Sequence, residues 1–403
     1  MASHKIVRCT ILMASLCVSE LSSIAQTTPL VCTPTVSVPI EVASPAERLA
    51  AGRKTQPPLT DTNNGFAWPD TPLTALKMGT GYAFFASDGS LHSRQMWQGH
   101  WVGNNKYGSV VRTVGTLSNP LGSADPEDVS ISPNPDPSVN PNYPSYTYMG
   151  GGSVYLVPEG MPGAGSLLLV YHAEVLNDAL YAVLGLASST DDGLTWTDLG
   201  EIIRLNQAFQ FGLDGFEIGA GGLVPSPDGK YFYIYFPDWI ANGTLHATTT
   251  TRMSVARASM QAVLQNAFSP TRPHAVAFQK YFHQNWDLQP GISGASTDLN
   301  PTTPYSGYLD VAWNSALARY IMIISNDTTF AYAESTDALN WTVPISIGDQ
   351  GDSRKIAAYP TAVGMGDNAK ILGKSYYIYF TRLLNDGTGW EHGSLQRVTV
   401  TCP

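Results

Sequence analysis

The sequence predicts an all-β chain closed into a ring of five similar sheets, a five-bladed β-propeller. Three observations lead there. Charged residues make up 13% of the 403 residues, while 37 Gly, 28 Pro and 20 Tyr are present, which suits short strands joined by ordered loops. One theme recurs five times: an apolar inner segment, a Gly-containing turn, an aromatic strand, and a third strand ending in a turn. Two hairpin signatures place a Ser and an Asp ahead of a Trp. All-β folds of this length often form a single unit.

Taken in order, residues 1–25 read as a signal peptide. His4, Lys5 and Arg8 give a basic start, Cys9–Val18 is a short apolar run, and Ser23-Ile24-Ala25 offers small residues for cleavage. That run is too short to span a bilayer, and no later segment is long enough. A secreted or periplasmic location follows. Residues 26–65, rich in Pro, Thr and Ser, read as an extended lead-in, and residues 66–403 as the propeller domain, with the ring itself running from about Asn64 to Cys402. Its units begin at "PLTALKMGTGYAFFAS", "GGSVYLVPEGMPGAGSLLLVYHAE", "IGAGGLVPSPDGKYFYIYFPDW", "GYLDVAWNSALARYIMIIS" and "AYPTAVGMGDNAKILGKSYYIYFTRL". They lie roughly 50 to 80 residues apart, within reach of propeller blades with loop insertions. Ala258–Ala267 is the one good helix candidate, a connector within the third unit, and the Pro-rich stretch Asn119–Pro144 reads as a long loop over one face.

The hairpin signatures are Ser189-x-Asp191-x-Gly193-x-x-Trp196 and a shorter version, Ser335-x-Asp337 to Trp341, which lacks the Gly. Asp bonds nearby backbone N–H groups and Gly tolerates positive φ, so both read as turns on the rim. Loss of residues 1–25 leaves Cys32 and Cys402, at opposite ends of the mature chain. An oxidising compartment favours their pairing, which suits a ring whose ends must meet, with two free thiols as the alternative. No Cys/His cluster resembles a zinc site, and no metal ligand is assigned.

These units, the hairpins and phrases such as "LGLASSTDDGLTWTDLG", "YLDVAWNSALARYIMIIS" and "SYYIYFTRL" resemble the secreted five-bladed propellers of the furanosidase type. Those include arabinanases and xylosidases of glycoside hydrolase family 43, and the hairpins resemble the Asp boxes of sialidases. The resemblance covers about residues 66–400. It implies a carbohydrate partner, no cofactor beyond a channel-bound calcium or sodium ion compatible with such propellers, and a monomer. A net charge of −10 argues against nucleic acid or an anionic membrane surface as partner.

In a propeller the starts of first strands and the ends of second strands surround one funnel. Glycoside hydrolysis needs two carboxyl groups there, one protonated and one ionised. Asp70 in "WPDTP" matches by position the first-blade general base of furanosidase propellers. Glu174 is the candidate acid, because burial beside the apolar run Ser166–Tyr171 raises a carboxyl pKa. His172 shares its side of the strand and is placed to bond the same sugar. Asp310 is a candidate to orient or tune the acid. Glu217 competes for the acid role and, with Asp238, Tyr359 and Arg382, is expected to line the substrate site. Trp239, Trp313 and Tyr359 are candidates for stacking on sugar faces. The family's acid comes from a later blade than the second, so Glu174 departs from its pattern. Each residue also has a plain structural reading: a turn cap for Asp70, a solvated strand end for Glu174, a bonded histidine for His172, local backbone bonding for Asp310. The function expected is glycoside hydrolysis, with a non-catalytic glycan-binding propeller as the alternative. A sialidase ranks below both, since the funnel supplies only Arg382 where an arginine triad is required.

Overall fold

The run Tyr231-Phe232-Tyr233-Ile234-Tyr235-Phe236 is apolar on both alternating faces, which marks a strand covered from both sides. The computed structural model shows why. It describes residues 30–54, 68–88, 95–97, 100–102, 109–122, 126–143, 146, 148–176, 180–206, 221–238, 252–299, 309–326, 329–348, 355–384 and 392–403. These form a β-propeller of five blades, each sheet packed between two others. Tyr231–Asp238 is the second strand of blade 3, paired with Gly222–Pro225 on its inner edge and Arg252–Ser259 on its outer edge. Blade 1 is built on Thr74–Met78, Gly81–Asp88, Ser109–Gly115 and Glu127–Val129. Blade 2 carries Tyr148–Gly150 and Val154–Leu156 inside, then Leu167–Leu176, Leu180–Ser189 and Trp196–Ile203. Blade 4 orders Leu309–Asn314, Arg319–Asn326, Thr329–Ser335 and Ile345–Ile347.

Because side chains alternate along a strand, each second strand serves two cores. Phe85 and Phe84 of blade 1 enter different clusters, the first shared with blade 2 and the second with blade 5. Likewise Ile234 packs with blade 2 and Tyr235 with blade 4, Met322 with blade 3 and Ile323 with blade 5, Ile378 with blade 4 and Tyr379 with blade 1. Continuous apolar runs are the outcome.

Blade 5 joins both ends of the chain. Lys355–Gly364, Ser375–Leu384 and Ser394–Thr401 come from the C-terminal part, and Thr35–Val36 and Ile40–Ala43 add to the outer edge of the last of these. Cys32 and Cys402 are disulfide-bonded, with Cα atoms 5.6 Å apart. The buried Glu334 carboxylate of blade 4 accepts the N–H groups of Val31 at 2.7 Å and Cys32 at 2.9 Å, and the Tyr332 hydroxyl at 2.8 Å.

Three sequence expectations change. The lead-in is not extended throughout: it holds those two strands and the helix Pro45–Lys54. A capping box opens that helix, with Glu47 N–H donating to Ser44 Oγ at 3.3 Å and Ser44 N–H to Glu47 Oε2 at 2.8 Å. The stretch Asn119–Pro144 is not a loop over a face. It supplies the outer strand Glu127–Val129 of blade 1, and Ile131–Ser132 then pairs in parallel with Trp196–Thr197 at the edge of blade 2. Buried Asn134 and Asn140 pin it there, donating to the Asp198 carbonyl and carboxylate at 2.7 and 2.9 Å. The third-blade helix is Met260–Ala267, capped by Ser259, because Ala258 and Ser259 still belong to the preceding strand. The predicted signal peptide lies outside the described residues.

Both Ser-x-Asp hairpins join third strands to the outer part of a blade. Ser189 Oγ donates to Asp191 Oδ1 at 2.8 Å and accepts from Gly193 N–H at 2.9 Å, while Asp191 takes both donors of Thr195. Gly193 has φ +82°, and a Cβ there would lie 2.5 Å from the Phe85 ring. The Trp196 ring stands edge-on to Phe85, centroids 6.0 Å apart. In the second hairpin Trp341 stands edge-on to Tyr235 at 5.8 Å, and the Tyr235 hydroxyl donates to Ala338 O at 2.9 Å. Phe85 and Tyr235 each lie three residues before the last residue of their strand, so both hairpins dock on the preceding blade in the same way.

Two outcomes follow. Replacing Cys32 and Cys402 by Ser should lower stability by roughly 2–5 kcal/mol in denaturant titration, since the bridge closes nearly the whole chain. Burial raises the Asp191 carboxyl, but bonds from Thr195, Ser189 and Leu194 outweigh it and hold the pKa below the usual carboxylate range. The stabilisation is then complete above the unfolded pKa of about 4 and lost as pH falls through the lower folded value. Asp191→Ala should lower the melting temperature at pH 7 and flatten the acid limb of stability.

Candidate active site

Asp70 sits in a turn ahead of the first strand of blade 1. Its N–H donates to Ser87 O at 2.8 Å, and Ser87 N–H returns a bond to Thr71 Oγ1 at 2.9 Å. The turn is thereby fastened to the end of the second strand. Asp70 is half-buried, and two hydroxyls from the neighbouring blades face it: Tyr359 Oη stands 3.3 Å from Oδ1 and Tyr148 Oη 3.5 Å from Oδ2. Tyr359 of blade 5 has φ +53°, where a bulge shifts the register between Ala358 and Thr361. A bulky residue in that region carries backbone strain, which concentrates at functional sites.

Tyr148 opens the inner strand of blade 2 and pairs across the sheet with Glu174. Its ring is edge-on to His172, centroids 5.8 Å apart. His172 Nε2 lies 3.2 Å from Glu174 Oε1, as two residues on one side of a strand allow. His172 is buried and Glu174 half-buried. The seat for Tyr148 depends on Gly150: a Cβ there would lie 2.2 Å from both Tyr148 Oη and Ser87 Oγ. Ser87 Oγ instead donates to Gly151 O at 3.1 Å, and Thr74 Oγ1 to Gly152 O at 3.3 Å, joining blade 1 to blade 2.

The structure therefore gathers Asp70, Glu174, His172 and Tyr359 around Tyr148. Sequence reasoning missed Tyr148 because the second unit was started at Gly151, just past the strand opening. The signal was its position, at the start of a first strand.

The other candidates make different contacts. Asp310 is buried, with Oδ1 accepting from Lys370 Nζ at 2.8 Å and Oδ2 from Ala362 N–H at 2.9 Å, so it ties blade 4 to blade 5. Asp238 is fully buried, accepting from Ser296 Oγ at 2.6 Å and lying 3.7 Å from Lys280 Nζ. Burial pulls the Lys280 ammonium pKa down, against the pull of Asp238 upward. Arg382 is half-buried; burial lowers its pKa and Glu41 opposes that. Trp313 packs edge-on to Tyr320 at 4.9 Å, beside the turn joining the first two strands of blade 4, which is the end away from the funnel. Glu217 and Trp239 lie outside the described residues. Among the described residues no group of three His, Cys, Asp or Glu side chains is placed to hold a metal ion.

No protein-family model and no curated protein matches the chain. Solved structures do resemble it. The catalytic domain of a GH62 α-L-arabinofuranosidase from Coprinopsis cinerea aligns at 13% identity over 86% of this chain and 95% of that one, with a TM-score of 0.45. A family 117 glycoside hydrolase from the marine bacterium Zobellia galactanivorans aligns at 10% identity over 92% and 90%, TM-score 0.47. An exo-β-1,3-galactanase from Clostridium thermocellum aligns at 14% identity over 85% and 60%, TM-score 0.43.

Removing one member of a buried ion pair leaves an uncompensated charge. Lys370→Met should therefore cost about 3–5 kcal/mol of stability by urea titration, and adding Asp310→Asn should recover part of that loss.

Proposed function

We propose that the protein is a secreted glycoside hydrolase acting on a neutral oligo- or polysaccharide. One observation carries the reading: two carboxyl groups meet at one tyrosine, Asp70 facing the Tyr148 hydroxyl at 3.5 Å and Glu174 pairing with Tyr148 across the strands of blade 2. Asp70 is the base. Its carboxylate is steered by the Tyr148 and Tyr359 hydroxyls, and it takes a proton from the water that attacks the anomeric carbon. Glu174 is the acid. One proton held between His172 Nε2 and Glu174 Oε1 passes to the glycosidic oxygen as its bond to the anomeric carbon breaks. Tyr359, half-buried beside Asp70, offers the aromatic edge a sugar ring requires. Asp310, committed to Lys370, holds blades together rather than reaching substrate.

A non-catalytic glycan-binding propeller is the second reading. It is favoured by the burial of two other acids, Asp238 and Asp310, against lysines.

Asp70→Asn and Glu174→Gln should each cut turnover about 10²- to 10⁴-fold while the protein stays folded. Glu174→Gln should spare activated aryl glycosides, which depart without a proton, and Asp70→Asn should impair all substrates alike. Aryl arabinofuranosides, xylosides and galactosides, then polysaccharides, provide the assay. Binding on a glycan array with no hydrolysis of any bound sugar would establish the second reading. The leaving-group pattern in Glu217→Gln instead would move the acid role there.

A further inference from the structure

The turn that carries Asp70 is also held from the lead-in. Trp68, two residues before it, is fully buried, and its carbonyl oxygen accepts a hydrogen bond from Arg48 Nε at 2.8 Å. Arg48 lies on the helix Pro45–Lys54 and is 0% exposed. Arginine is rarely fully buried, and taking its charge out of water costs several kcal/mol before any bond is made. An apolar side chain would fill the same space without that cost. The fold even keeps room for the guanidinium: a Cβ on Gly393 would lie 2.4 Å from Arg48 Nη1. Gly393 has no positive φ, and a Cβ there would also lie 2.8 Å from Leu383 Cδ2 and 3.1 Å from Thr381 Cγ2, so close packing with Arg48 at its centre accounts for a glycine there better than backbone conformation does. Asp70 is thus tied on both sides, through Trp68 to Arg48 and through its own N–H to Ser87.

We propose that Arg48 is a positioning residue for Asp70. It fixes the turn so that the carboxylate stands between the Tyr148 and Tyr359 hydroxyls, which makes the N-terminal helix part of the active-site scaffold. The proposal rests on the reading of Asp70 as base. A displacement of about 1 Å at a reacting group can cost a factor of 10² in rate, so loosening the turn should act on kcat.

The test compares Arg48→Met, Arg48→Lys, Gly393→Ala and Asp70→Asn on the 4-nitrophenyl glycoside that the wild type hydrolyses fastest, well below each melting temperature. Arg48→Met should lower kcat by about 10- to 100-fold with KM within about threefold of wild type. Arg48→Lys, which keeps a cationic donor, should recover part of that loss. Gly393→Ala should reproduce the loss with Arg48 still present, and it decides the matter if Arg48→Met does not fold. Wild-type kcat in the folded Met variant, or in Gly393→Ala if the Met variant does not fold, overturns the proposal and leaves Arg48 as a fastening of the helix. Wild-type kcat in Asp70→Asn, or a wild type inactive on every aryl glycoside, overturns the reading of the site, and the proposal with it.

Discussion

The structure depends on closing the ring between blades 5 and 1. Every other blade is held by neighbours already adjacent in the chain, but this junction brings together the two ends. A propeller left open there would expose the faces of Phe84 and Tyr379, which bury each other's cluster. Closure is secured at several places with different physics. Strand pairing adds the lead-in to the last blade. The disulfide removes freedom from the unfolded chain, and Glu334 binds the lead-in to blade 4 by charge-assisted bonds. At the channel, Leu73 N–H of blade 1 donates to Thr361 Oγ1 of blade 5 at 2.9 Å. Burial of apolar area supplies most of the driving force, and these contacts select the ring over an open array.

The fold was legible because its constraints are local. A second strand packed on both sides must be apolar at successive positions, and the runs at Tyr231–Phe236 and Arg319–Ser325 show that directly in the sequence. The Ser-x-Asp hairpins were legible for a similar reason, since their bonds close within a few residues. Their partners were not. Nothing near Trp196 announces that its ring meets Phe85, about a hundred residues earlier in the chain, or that Trp341 meets Tyr235. The helix Pro45–Lys54 was hidden by composition, for the surrounding Pro, Thr and Ser outweighed the capping pair Ser44 and Glu47.

The site was legible in part. Position on the blade selected Asp70 and Tyr359, which the fold brings into contact, and strand periodicity placed His172 beside Glu174. The same rule also selected Asp238 and Asp310, which the fold uses otherwise. Each meets a cation that the sequence does not announce: Lys280 and Lys370 come from strands and turns distant in sequence, and no local pattern pairs them. A carboxylate sealed against an ammonium has spent its charge on packing two blades together. Asp70 is half-buried, with the Tyr148 and Tyr359 hydroxyls among its partners.

Closure and the proposed chemistry then meet in the same place. Asp70 belongs to the first turn after the lead-in, Tyr359 to the blade that the lead-in completes, and Tyr148 to the blade beyond. Their mutual distances are therefore set by how firmly blade 5 is joined to blade 1. The lead-in acts at both ends of that junction, pairing with Ser394–Thr401 through its strands and reaching under Trp68 through Arg48. A site assembled at any other interface would be insulated from the chain ends by intact blades. Here the segment that closes the ring also sets where the carboxylate stands, so the buried charge of Arg48 serves both the fold and the site.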